Sequence, residues 1–296
     1  MQLFPPQRWH ELAAAHAERA DTLTAAHRSR RAAGERHAIE DFLYTYYSTR
    51  PAILRRWHPG ADVGLEPGPD APAPQTAWRW YATDSDGLVW LDVDRFLTHR
   101  GEAVRFIRRL LSATASRQAF VGCFGLHEWA MVYRRSPDEV RHTSWPLRLG
   151  REGTDDVVET HRIRCSHFDA FRFFTPDAAP RTALQPQRST QVDLEQPGCL
   201  HAAMDCHKWA MKLGPAVPGD LALDCFELAR DVRLLDMRAS PYDLSSYGWP
   251  AVKVETPQGK AEYVARQRSF AERAAALRVR LVAVCEAMLS RGSVVT

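Results

Sequence analysis

Four stretches between about Phe120 and Asp243 set titratable side chains beside aromatic ones. In the first, Phe124 to Met131, His127 and Glu128 adjoin at the start of an expected helix. Histidine followed by glutamate opens the zinc-protease pattern, which needs a second histidine four residues after the first so that both face one metal. Met131 occupies that position, so the pattern fails and leaves His127 or Glu128 as an acid, a base or a single ligand. A glutamate in a first helical turn is also favourable without any chemistry, because it meets the positive end of the helix dipole. In the second stretch, His161 to Phe171, a strand would put His161, Ile163, Cys165, His167 and Asp169 on one face. Asp169 could then orient His167 toward a substrate or a metal, whereas a helix would make the two histidines diverge.

The third stretch, Cys199 to Lys212, is the most informative. On a helix, His201, Asp205, Lys208 and Lys212 form a polar stripe beside an apolar one of Leu200, Met204 and Met211. Its flanks are small or apolar, which favours a polar pocket over an exposed face. The fourth groups Asp224, Asp231 and Asp236 with the segment that ends at Asp243. Ser240-Pro241 should break a helix there and leave Arg238, Tyr242 and Asp243 on a turn able to hold a polar ligand. The expected catalytic set is His127, Glu128, His167, Asp169, His201 and Asp205, and the same six are the ligands if a metal is present. Trp129, Lys208, Trp209, Arg238 and Tyr242 are the expected substrate contacts.

The elements that must position these groups read as mainly α, a multi-helix bundle with one short β-hairpin. Helices are expected over Arg8 to Ala33, Gly101 to Ser116, Leu126 to Arg135, Pro197 to Leu213 and Pro218 to Met237. A last helix from Phe270 carries Ala274, Leu277, Leu281, Val284 and Met288 as an apolar seam. Trp78 to Asp92 reads as two strands around Asp86-Gly87. Residues 148–175 fit strand or helix, and the polar, proline-bearing 177–196 reads as an extended loop. One domain over 1–296 is expected, with a helical part over 1–60, the hairpin over 76–92 and a helical catalytic part over 94–290.

Composition limits the function classes. A chain of 296 residues can bury a full core, and no apolar run approaches the roughly 20 residues that span a bilayer. The start of the chain lacks the apolar stretch of a secretory signal, so the expected location is the cytoplasm, with no membrane partner. Six cysteines without a C-x-x-C pair read as reduced thiols. The net charge of +3 is weak for a nucleic-acid binder, although arginine far outnumbers lysine. Glu-x-x-His, which a dinuclear carboxylate site needs twice, occurs once, at Glu139 and His142. The phosphate-binding glycine loops and the serine-hydrolase elbow are absent.

Four strings, FGLHEWAMVY from Phe124, HRIRCSHFDAFRFF from His161, EQPGCLH from Glu195 and LDMRASPYDL from Leu235, resemble a bacterial family labelled 3-methyladenine DNA glycosylase. The resemblance covers nearly the whole chain from His37. It implies hydrolytic excision of alkylated purines from DNA in base-excision repair, with the base flipped onto aromatic side chains and no cofactor. The Gly-rich hairpin and following Asp of the helix-hairpin-helix glycosylases are missing, so the resemblance assigns no catalytic residue by position. The residues themselves support a second expectation, an all-helical enzyme that uses divalent iron, manganese or zinc on a small molecule.

Overall fold

The computed structural model describes residues 1–69, 71–136 and 145–291. The Glu139 and His142 pair lies outside them. In chain order the elements are β1 (Gln2–Phe4), α1 (Pro6–Ala32), α2 (Phe42–Tyr46), α3 (Pro51–Leu54), β2 (Val63–Leu65), β3 (Tyr81–Thr83), β4 (Val89–Leu91) and α4 (Val93–Ala115). There follow α5 (Leu126–Ala130), α6 (Gly150–Thr160), α7 (Phe168–Phe171), α8 (Gln191–Leu194), α9 (Leu200–Leu213), α10 (Gly219–Arg238) and α11 (Pro257–Arg291). The protein is mainly α-helical, as the apolar periodicities require.

The chain divides into two compact units, each built from separate stretches: 1–112, 205–229 and 276–296 form the first, 113–204 and 230–275 the second. The sequence gives no linker at which to draw this division, because every boundary falls inside a helix, α4, α9, α10 or α11.

In the first unit, α1 begins on Pro6, whose missing N–H costs nothing in a first turn, and ends with Arg30 and Arg31 against the negative end of the dipole. Its buried face runs through Trp9, His16, Ala20, Thr24 and His27. The expected hairpin is present as β3 and β4, its turn held by Asp84 Oδ1, which accepts from the backbone N–H groups of Asp86 and Leu88. It belongs to a larger sheet. β2 pairs antiparallel with β4 and parallel with β1, giving the order β1-β2-β4-β3. Strands of three residues carry too little alternation to be read from sequence, and β1 and β2 were missed for that reason. Val104, Ile107, Leu110 and Leu111 of α4 are buried on one face, as expected.

In the second unit the expected helix from Leu126 stops at Ala130, well short of Arg135. The ambiguous 148–175 resolves into α6 and the single turn α7, joined by irregular chain around Ile163, which makes one parallel bridge to Thr182. No strand aligns His161 with Asp169, so that face is not formed. The loop over 177–196 contains the short turn α8. Arg148 pairs bidentately with Glu255 at 2.6 and 2.5 Å and stacks over the buried Trp129 ring, 5.0 Å from its centroid. The last helix starts at Pro257, earlier than the apolar seam does; Ala274, Leu277, Leu281 and Met288 of that seam are buried, whereas Val284 is only half-buried and Cys285 beside it is buried instead.

Candidate metal centre

Three helices of the second unit bring His127 (α5), His201 (α9) and Asp236 (α10) together, with one ligand atom from each lying within 4.8 Å of the others. The His127 and His201 rings meet edge to face, 4.4 Å between centroids, and His167 stacks on His201 at 5.3 Å. His167 Nε2 lies 3.4 Å from Glu195 Oε1, which also accepts from Gln191 Nε2. His127, His167, Glu195 and Asp236 are all buried.

Local sequence explains the placement. Before α5 the chain passes through two consecutive left-handed residues, Phe124 (φ 50°) and Gly125 (φ 69°). The first is strained for a residue with a side chain, and strain of this kind collects at functional sites. A Cβ on Gly125 would make ordinary contact with Ala239 and Tyr263, at 3.4 Å, so it is the left-handed backbone at the start of α5 that favours glycine here. Before α9, a Cβ on Gly198 would sit 2.5 Å from the Phe120 carbonyl oxygen. Only glycine allows that approach, and Gln196 and Gln267 fix it by hydrogen bonds to the Gly198 N–H and carbonyl.

The centre of the cluster is an atypical ion pair. His127 Nε2 approaches Asp236 Oδ1 at 2.8 Å, yet the contact lacks hydrogen-bond alignment and neither atom has another hydrogen-bond partner. The other carboxylate oxygen, Oδ2, accepts from Arg233 Nη1 at 3.2 Å, and the same nitrogen donates to Glu128 at 3.1 Å. Arg233 thus fixes Asp236 from behind and leaves Oδ1 turned to the histidines, the arrangement that orients a metal-binding carboxylate. Burial disfavours charge on both partners. For His127 the neighbouring Asp236 outweighs it and the pKa is raised; for Asp236, His127, His201 and Arg233 outweigh it and hold the carboxyl well below the usual range.

A cavity of about 20 Å³ opens beside His127 and His201, room for a water or an ion by the usual measure of about one water-sized sphere. Cys123, Cys165, Ser166 and Cys199 line it. Burial pushes the Cys165 thiol up to about 12 and the Cys199 thiol well above its ordinary value, so both are neutral. All six cysteines are free, as expected.

Of the six expected catalytic residues, His127, His167 and His201 share this cluster. Glu128 is next to it, but its carboxylate is engaged by Arg233. Asp169 points to Arg172 and Arg188 at 3.6 and 3.7 Å. Asp205 belongs to the first unit, where it accepts from Tyr47 Oη and Lys208 Nζ, both at 2.8 Å. Among the expected substrate contacts, Trp129 is fully buried and donates to the Ala239 carbonyl, Arg238 donates to the Pro250 carbonyl, and Tyr242 packs on Trp145. Lys208 and Trp209 lie in the first unit, where the Lys208 ammonium sits over the Trp209 ring. Sequence reasoning noted Asp236 without giving it a ligand role, and passed over Glu195. The available signal for Asp236 was a carboxylate flanked by Val232, Leu235 and Met237, all apolar.

No family model, curated protein or solved structure matches the chain.

Proposed function

We propose that the protein is a metal-dependent enzyme acting on a small molecule, with one divalent cation held by His127, His201 and Asp236. The observation that carries this reading is the buried His127 and Asp236 pair, 2.8 Å apart without hydrogen-bond alignment, with His201 against it. Two imidazoles and one carboxylate suit zinc, iron(II) or manganese and leave coordination positions for water and substrate. Such an ion supplies Lewis acidity or a water of lowered pKa. The protein's own groups do the rest. Arg233 orients Asp236, Glu128 holds Arg233, and His167, backed by Glu195, is placed to move a proton beside His201. The neutral thiols keep the surroundings apolar.

Elemental analysis of the purified chain tests the proposal. The expected result is close to one zinc, iron or manganese per chain, lost in His201→Ala while the fold is retained by circular dichroism. Metal-free protein that releases free base from methylated DNA in the presence of a chelator would overturn it.

A further inference from the structure

The first unit contains a second, larger cavity of about 230 Å³, unrelated to the histidine cluster. Its walls are aromatic. Trp78 meets His58 edge to face with 5.0 Å between ring centroids, and Tyr81 lies parallel to His58 at 5.9 Å and edge to face with Trp78 at 6.1 Å. Met211 and Pro215 add apolar surface. His58 Nδ1 is bonded to the Tyr81 hydroxyl at 2.9 Å, and its Nε2 has no partner among the described residues. Burial, with His16 and Arg56 adding to it, holds His58 down at about 3, so the ring is neutral at ordinary pH.

The rim carries two arginines. Arg56 lies over the Trp78 ring at 5.3 Å and Arg79 over the Trp80 ring at 4.3 Å. Neither has an ion-pair or side-chain hydrogen-bond partner among the described residues. Other arginines of this unit do: Arg19 pairs with Asp224 and Glu227, Arg30 with Glu40 and Asp41, and Arg55 with Asp21. Contact with the ring face holds each guanidinium group while its N–H groups stay available, and a planar fork of this kind suits phosphate or carboxylate. An apolar aromatic cavity with a few convergent polar groups is the usual form of a small-molecule site.

We infer that this cavity binds a planar heteroaromatic molecule that carries an anionic group, with the ring among Trp78, Tyr81 and His58 and the anion at Arg56 and Arg79. His58 Nε2 is left to hydrogen-bond an edge of the ring. The anion is a phosphate or a carboxylate, since the guanidinium fork accepts either.

Isothermal titration calorimetry on the full chain distinguishes them, with AMP and adenosine as one pair of probes and indole-3-acetate and indole as the other. Saturable binding is expected for at least one anionic probe, at least tenfold tighter than for its neutral counterpart. The pair that shows this identifies the anion. Arg79→Gln, on an exposed side chain, should erase that difference, and Trp78→Ala should abolish binding with the circular dichroism spectrum unchanged. Equal affinity for charged and neutral rings, binding that survives Trp78→Ala, or no saturable binding by either anion would overturn the inference.

Discussion

Buried histidines occur in both units, and what each one meets separates them. In the first unit they stand singly. His16 Nε2 is bonded to the Leu54 carbonyl at 2.8 Å, His27 Nδ1 to Asp41 at 2.8 Å, and His207 Nε2 to the Thr49 hydroxyl at 2.9 Å. In the second unit His127, His167 and His201 touch one another, with Asp236 and Glu195 at the two ends of the row. Burial dominates at His16 and His207, which face no carboxylate within bonding distance among the described residues, and lowers both. In the second, a carboxylate outweighs burial and raises His127. Burial alone therefore marks a neutral core histidine, and an assembly able to hold a cation needs buried carboxylates that are themselves fixed from behind, as Arg233 fixes Asp236.

The sharpest way to break this contrast is Asp236→Ala. It removes the carboxylate that faces both Arg233 and His127, and breaking a buried pair from one side costs about 3–5 kcal/mol. Urea unfolding of metal-free protein should show a loss of that order; a loss below about 1 kcal/mol would mean that the carboxylate compensates no buried charge.

The first unit's histidines predict an acid sensitivity. His207 is fully buried and held down at about 4, so as pH falls the unfolded chain takes up the proton first. Its contribution is fully present above about 6.5 and lost progressively down to about 4. At about 1.4 kcal/mol per unit the full effect is of order 3 kcal/mol. Unfolding midpoints measured between those pH values should fall for the wild type and fall less for His207→Gln; identical slopes would break the assignment.

The smallest effect concerns Arg278 of the first unit, fully buried with no hydrogen-bond partner for any of its three guanidinium nitrogens among the described residues. An unpaired buried cation costs stability rather than adding to it, so Arg278→Met should leave the thermal midpoint unchanged or raise it. A clear loss of stability would show that this arginine has an anionic partner of its own.

Much of this was legible in the chain. The apolar seams gave the C-terminal parts of α4 and α11, Pro218 gave the start of α10, and the Asp-Gly turn gave the hairpin, because each is a local pattern that stands out in the chain. His127 and His201 were found from residue type and apolar flanks. What failed depended on distance. Trp129 has the chemistry of a pocket wall, but its indole N–H is used to tie α5 to the Ala239 carbonyl. Asp236 meets His127 and His201 only when α5 and α9 arrive from elsewhere in the chain, and no local spacing encodes that meeting.

The separate origin of His127, His201 and Asp236, the proposed ligands, carries a consequence for assembly. A nascent or partly melted chain presents each donor alone, and long loops must close before any two meet, so an ion held by all three would select the finished second unit over every precursor. Occupancy would then act as a late lock on that unit, with a melting temperature that climbs as free cation is raised and settles back when a chelator removes it.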